Sequence, residues 1–399
     1  MPLHHDASES HATCPQKLVD LILGGTDKET LKSRALAARS FRLTSQKLIF
    51  SELTILPPGC GSIPALQRLA DVFSAFPHIA LHVRTLRLVQ AGFYASCVWM
   101  QSDILPVILP LFTNLASLKI RIYNWHIFHS NCEQALHSLI TQSMLSSIEL
   151  EGARLQTNVK LLELLQCHPT SLESASFRDV YTHRSDLNDA SLEFAPTHLT
   201  VLHIDSHTSA LYHWAMRAVD PKCLRDLHTE VQKGTRKFIQ RLLDSAVYVE
   251  TYHLSFWGFV SQPESPNLAR MESLGTLELS VELDWDEIEE VGGQDQHNPL
   301  NDAMRSLATA PHTVEHLILN LKIRDSYHLK QFVDSPVLDR PLERLEEGLP
   351  ELRDVVVRIV SGQDHSILQR AIQYLKDVFH GLETKGMLTA VIVRPVSSK

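Results

Sequence analysis

The chain is poor in the features that most simply assign a role. Its 399 residues hold six cysteines (14, 60, 97, 132, 167 and 223), with no C-x-x-C pair and no N-x-[ST] acceptor. A secreted disulfide framework would be denser, so reduced thiols in a cytoplasmic or nuclear protein are expected. Basic excess is lacking too. Against 46 Asp and Glu there are 37 Lys and Arg, a formal charge of -9. That argues against nucleic acid as a partner, because counterion release needs a dense cationic face. The longest apolar block, Ile104 to Phe112, is broken by Pro106 and Pro110. It is too short for a membrane span, and no membrane partner is expected. Met1 to Thr13 carries histidines and acids without an apolar run, which speaks against a signal peptide and predicts a disordered tail over 1–13.

What the chain does have is a recurring strand pattern. Ser273 to Leu283 reads SLGTLELSVEL, an L-x-x-L-x-L unit with a period-2 tail, as a short strand with one buried face requires. Counted on the second apolar position, units fall at Leu53, Leu86, Leu118, Ile148, Ala175, Leu202, Leu227, Tyr252, Leu277, Leu317, Val355 and Val391. Segments with apolar residues three and four apart lie between them: 65–76, 132–141, 158–166, 211–219 and 236–245. The longest, Ser366 to Leu382, is expected to cap the open end of the stack. A strand and a helix in each unit predict a leucine-rich-repeat-like α/β solenoid over 53–399, of roughly eleven strands, with parallel strands on the concave side and helices on the convex side. The Asn or Cys expected after each strand is absent in every unit, for example at Ala153, Val180, His207 and Gln232. The turns must therefore satisfy their backbone groups by other means.

Before the first repeat, residues 14–52 read as three short helices. Pro15 can start the first, with Leu18, Val19, Leu21 and Ile22 following until Gly24-Gly25. Thr26 or Asp27 can cap a second, with Leu31 on its apolar face, and a third runs near Leu43 to Ile49. The order of parts resembles an F-box. Pro15, Leu18, Val19 and Ile22 match its opening helix, Leu31 its second helix, and Ala38-Arg39-Ser40-Phe41 its closing signature, with Cys14 and Phe41 standing where the family has Leu and Trp. The repeats are similar to the irregular ones that follow F-boxes in many fungal proteins. The resemblance implies that Pro15, Leu18, Val19, Ile22 and Leu31 bind the Skp-type adaptor of a cullin-RING ubiquitin ligase. It implies a substrate-recognition subunit, with catalysis in other subunits. The alternative is a repeat scaffold for protein interaction with no ligase link, its helices a plain cap.

The remaining features speak against an enzyme, and no catalytic residue, metal ligand set or cofactor is expected. His312-Thr313-Val314-Glu315-His316 matches the inverted zinc-protease motif, but a strand runs through it and would hold the two histidines ~13 Å apart. Gly24 to Lys28 lacks the order of a phosphate loop. A target should instead lie on the concave face, where residues between the core positions project: Arg87, Lys119, Glu149, His203, His228, His253 and Glu278, flanked by Arg121, Asp205 and Glu230. This strip begins basic and turns acidic, which would suit a partner of matching gradient. His203, His228 and His253 recur at 25-residue steps, which puts them in one column on three adjacent strands about 4.8 Å apart, close enough for the imidazoles to touch. Residues 282–295 hold seven carboxylates and no base, an insertion that reads as a solvated loop or a contact for a basic partner.

Overall fold

Helix caps, alternating strands and polar turns each follow the local sequence closely. The computed structural model of the chain describes residues 27–37, 39–55, 63–90, 98–125, 128–142, 144–166, 171–184, 193–232, 234–256, 265–283, 299–323, 345–361 and 365–393. They form two compact units, residues 1–118 with 128–144, and 119–127 with 145–399. Among the described residues no helix is long and apolar enough to cross a membrane.

In the first unit, Asp27 caps α1 (Lys28–Ala37). Its Oδ1 accepts the amide protons of Glu29 and Thr30 at 3.0 Å each, and its Oδ2 accepts the Thr30 hydroxyl at 2.6 Å. An Asp at this position satisfies backbone donors that the first turn cannot, which is why the helix begins here. Helix α2 (Arg39–Phe50) follows, and its Leu48 and Ile49 pack on Leu31, which is 3% exposed. Strands β1 (Glu52–Ile55) and β2 (Thr85–Val89) flank α3 (Ile63–Ala75) and pair in parallel with Leu53 opposite Leu86. Strand β3 (Ser117–Arg121) starts in this unit and ends in the second. Helix α4 (Ser130–Gln142) buries Cys132, Ala135, Leu136, Leu139 and Ile140, one stripe at helical spacing. Burial pushes the Cys132 thiol up to about 11, with Asp103 adding to the shift. That thiol is a packing group and not a reactive one.

The second unit repeats one arrangement. Its strands are β4 (Ser147–Glu151), β5 (Arg154–Thr157), β6 (Ser174–Arg178), β7 (Tyr181–Arg184), β8 (Val201–Asp205), β9 (Asp226–Val231), β10 (Thr251–Phe256), β11 (Thr276–Leu283), β12 (His316–Ile323), β13 (Asp354–Val360) and β14 (Leu388–Val393). All but β5 and β7 form one sheet whose neighbouring strands are parallel. The core positions fall opposite one another as the repeat count requires: Ile148, Ala175, Leu202, Leu227, Tyr252, Leu277, Leu317 and Val355 share one register. Each is fully buried or nearly so, and a buried Leu contributes about 1.5–3 kcal/mol.

Helices α5 (Asn158–Gln166), α6 (Ser209–Ala218), α7 (Arg236–Ser245) and α8 (Pro299–Leu307) bury stripes of Leu, Ile, Phe and Trp against that core. The alternate strand residues stay half-exposed on the face opposite the helices. Two expectations need correction at the C-terminal end. The single helix expected over 366–382 is two, α9 (His365–Val378) and α10 (His380–Thr384), and β14 follows them to take the sheet edge beside β13. Val355 lies opposite Leu388, not Val391. Among the described residues β14 has no neighbour beyond it, none of its residues is fully buried, and its alternation therefore carries little phase information.

The turns show how a repeat without its Asn ladder closes. Gly152 after β4 and Asp179 after β6 both have positive φ, 67° and 51°. Their amides bond the carbonyls of Arg178 and Asp205 at 2.8 Å each. The chain then enters β5 and β7, which pair in parallel as a second, two-stranded sheet that the sequence pattern did not anticipate. Glycine suits the first of these turns because a Cβ there would lie 2.8 Å from the Tyr123 ring. Hydroxyls replace the missing amides: Ser206 Oγ donates to the Val180 carbonyl at 2.5 Å and Thr208 Oγ1 to the same oxygen at 3.0 Å. Thr235 Oγ1 both accepts from the Gln232 amide and donates to its carbonyl, at 3.1 and 3.0 Å.

Candidate functional site

Parallel register sets one column of side chains across the open face of the second unit: Glu149, Ser176, His203, His228, His253, Glu278, Ile318 and Val356. The three histidines of that column stack. Ring centroids are 3.7 Å apart for His203 and His228, inclined by 13°, and 3.8 Å apart for His228 and His253, inclined by 32°. Those spacings are shorter than the ~4.8 Å between strands, so the rings lean together in van der Waals contact. Burial is the main cause that lowers all three basicities, His203 to about 4 and His228 to about 2. For His228 the neighbouring rings add to it, and for His253 the Glu278 carboxylate opposes it. All three rings are therefore neutral near pH 7.

Two residues further along each strand lies a second column, of which the sequence picked out Arg121, Asp205 and Glu230. Arg178 stands opposite Asp205, and Glu230 opposite Ser255, Ser280, Asn320 and Arg358 in succession. The signal that could have found it was the repeat count itself, moved on by one pleat. The columns are knitted together. His253 Nε2 lies 2.7 Å from Ser280 Oγ and 3.3 Å from Ser255 Oγ, which is 3.4 Å from His228 Nε2. Asn320 Nδ2 donates to Ser280 Oγ at 3.0 Å and also to Glu278 Oε1. Gln232 Nε2 donates to Glu230 Oε1 at 2.5 Å. Burial foremost, and then Asp205 beside it, hold the Glu230 carboxyl well above the usual carboxylate range. Glu230 is therefore protonated at neutral pH.

The three histidines, Ser255, Ser280, Asn320, Asp205 and Glu230 line a pocket of about 570 Å³, with Arg178, Lys322 and Arg358 as its cations. Perturbed titratable groups gathered in a concavity mark a candidate site. His203 Nε2 is buried there without a hydrogen-bond partner, as is Ser176 Oγ beside it on β6 and outside the pocket lining, at a cost of about 1–3 kcal/mol each. A triad is not assembled. Ser255 approaches two imidazoles only through Nε2. Among the described residues no carboxylate bonds the Nδ1 of any of the three rings, the arrangement that would orient a base behind a serine nucleophile.

The other residues singled out by sequence lie elsewhere. In the first unit, Arg87 Nε pairs with Glu52 at 2.7 Å. In the second, Lys119 pairs with Glu149 at 2.7 Å and Arg121 with Glu151 at 3.5 Å. The expected change from basic to acidic is thus matched across neighbouring strands in that unit. Such exposed pairs contribute ~0–1 kcal/mol, and the gradient is largely neutralised before a partner arrives. Glu278 lies 3.9 Å from both His253 Nε2 and Arg358. Pro15, Leu18, Val19 and Ile22 fall outside the described residues, as do residues 284–295 of the acidic segment. Leu31 is part of the core between α1 and α2. His312 sits in a turn with Nδ1 2.9 Å from the Gly348 carbonyl, while His316 opens β12 and meets Asp354, so the H-x-x-E-H pair does not converge.

No protein-family model matches the sequence, and no curated protein does. Among solved structures, the crystal structure of the leucine-rich repeat-containing protein LegL7 from Legionella pneumophila is similar at a TM-score of 0.38 and 11% identity, over 82% of this chain and 98% of that one.

Proposed function

We propose that this chain is a non-catalytic recognition protein that binds a segment of a protein target across the open strand face of its second unit. One observation carries the reading: strands β6 and β8 to β14 all contribute to a single polar pocket in which the buried His203 Nε2 lacks a partner among serine, asparagine and neutral histidine side chains. A wall assembled from so many strands suits an extended segment that runs across them, and the orphaned His203 Nε2 would gain a hydrogen bond from it. Lys322, with Arg178 and Arg358 reaching Glu149 and Glu278 only at 3.8 and 3.9 Å, would favour a target segment with carboxylates.

The N-terminal helices would then tether the recognition face to a Skp-type adaptor, making the chain the substrate-recognition subunit of a cullin-RING ubiquitin ligase. This finer reading is supported by the order Pro15, Leu18, Val19, Ile22 and Leu31, and by two consecutive helices, α1 and α2, where the F-box resemblance expects its second and third. Because Leu31 is internal, the adaptor contact would be carried by Pro15, Leu18, Val19 and Ile22. One experiment separates the two halves. The tagged full chain is incubated with purified adaptor and, separately, expressed for co-purification of targets. Leu18→Asp with Ile22→Asp is expected to lose the adaptor and keep the targets. Lys322→Glu with Arg358→Glu is expected to keep the adaptor and lose the targets by tenfold or more. A folded wild type that binds no adaptor would leave the plain repeat scaffold as the account.

A further inference from the structure

Away from the pocket, the repeat brings together three side chains that the recognition reading does not use. His198 and Cys223 are one 25-residue step apart and precede β8 and β9 respectively, and Asp220 lies one turn before Cys223. His198 Nδ1 is 3.5 Å from Cys223 Sγ and 3.9 Å from Asp220 Oδ2, and Cys223 Sγ is 3.7 Å from Asp220 Oδ2. We propose that His198, Asp220 and Cys223 form a binding site for a borderline-soft divalent cation of the zinc type, with the fourth coordination position left to water.

The spacing is that of a coordination shell. Zinc bonds of about 2.0–2.3 Å at the tetrahedral angle put neighbouring donor atoms ~3.3–3.6 Å apart, and these three need shift by only a few tenths of an ångström. The three donor atoms all lie within 4.8 Å of one another. That arrangement also separates the cluster from a Cys-His-Asp hydrolytic triad, in which the carboxylate would hold the imidazole nitrogen remote from the thiol. Here thiol and carboxylate face the same Nδ1. One nitrogen, one sulfur and one carboxylate oxygen favour zinc over calcium or magnesium, which take oxygen shells. With the thiolate and the carboxylate bound, the charge of the cation is cancelled.

The donors are held in place by backbone bonds, so little has to be ordered on binding. Thr197 pairs with Val219 in an isolated parallel bridge. The Asp220 amide donates to the Thr197 carbonyl at 3.0 Å, which locks the His198 and Asp220 segments side by side. Asp220 Oδ1 is occupied by the Lys222 amide at 3.0 Å, leaving Oδ2 to face the sulfur. Arg225 braces the same turn through the carbonyls of Lys222 and Leu224 at 2.9 and 3.2 Å. The His198 side chain is 66% exposed, which gives the ion a way in. On binding, the Cys223 S–H bond breaks, a sulfur–metal bond forms, and the proton leaves to buffer; no redox change is involved.

The test uses the full chain, stripped with chelator and titrated with Zn²⁺ against a chromogenic zinc chelator, then with Co²⁺. The expected result is one saturable equivalent and a thiolate-to-cobalt charge-transfer band. It includes a melting temperature that rises with Zn²⁺ concentration, because the ion binds only the folded turn pair. Cys223→Ser and His198→Ala should each weaken binding tenfold or more and remove the thermal shift, and Cys223→Ser should abolish the charge-transfer band. All three residues are at the surface or half-buried, so circular dichroism of the variants should match wild type. His228→Phe should bind as wild type does, which separates this site from the histidine stack. Absence of saturable binding in the wild type, or equal affinity in the Cys223 and His198 variants, would overturn the proposal.

Discussion

Between pH 7.5 and 4.5, His228→Phe should gain roughly 2–3 kcal/mol in stability relative to wild type. In the folded chain His228 is pressed down to about 2, mainly by burial and then by His203, His253, Arg178 and Lys322, whereas an unfolded histidine titrates near 6.5. Below 6.5 the unfolded chain therefore takes a proton that the folded chain refuses. The stability associated with the neutral ring is complete above that value and is lost as the pH falls toward the folded value, at ~1.4 kcal/mol per pH unit. His203, lowered to about 4, acts in the same direction. Glu230 opposes them. Its folded carboxyl holds a proton that the unfolded one releases, so its contribution is present in acid and fades as the pH rises through neutrality. Absolute stability against pH mixes these opposite slopes, and the wild-type-minus-variant difference isolates His228. Phenylalanine keeps a flat ring in the stack and cannot titrate. Urea unfolding at the two pH values measures the gap, and a gap independent of pH would show the ring to be solvated.

The second large effect lies in the packing beneath that face. Trp214 on α6 is fully buried, and its ring meets Phe177 of β6 edge to face, with centroids 5.4 Å apart and planes at 79°. Trp214→Ala should destabilise the second unit by about 3–5 kcal/mol, the cost of lost burial plus the cavity left behind. Val107→Ala in the first unit, 63% exposed, should change stability by no more than about 0.5 kcal/mol. Because the chain has two compact units, unfolding should be followed with probes in each. The Trp214 change should move the transition reported by the second unit and leave that of the first in place.

How much of this could be read from the sequence depends on what each position has to satisfy. The register from Ile148 to Val355 was legible because every strand there buries one face between two neighbours, and a slip of one residue would expose its leucines. At β14 that constraint is gone. Val391 is 41% exposed, and counting on apolar identity chose the wrong face. The histidine stack was visible because one residue type repeated at one step. Ser255, Ser280, Asn320 and Arg358 occupy a column of the same geometry yet differ in type, so nothing in composition joined them. The hydroxyl caps at Ser206, Thr208 and Thr235 were hidden for the same reason: they do the work expected of an Asn ladder from different positions. His198, Asp220 and Cys223 could have been joined by noticing that His198 and Cys223 lie one repeat step apart, but an Asp-x-x-Cys segment alone carries no such weight.

The account rests on the open strand face of the second unit being the recognition surface. The measurement that tests it most directly is site-specific photo-crosslinking in cells. A photoreactive residue is placed at Ser255 in the pocket lining and, in a second chain, at Gln240 on the helix side. The account predicts discrete crosslinked partners from position 255, lost when Lys322→Glu and Arg358→Glu are added, and none from position 240. The same partners from both positions, or crosslinks only from the helix side, would contradict it.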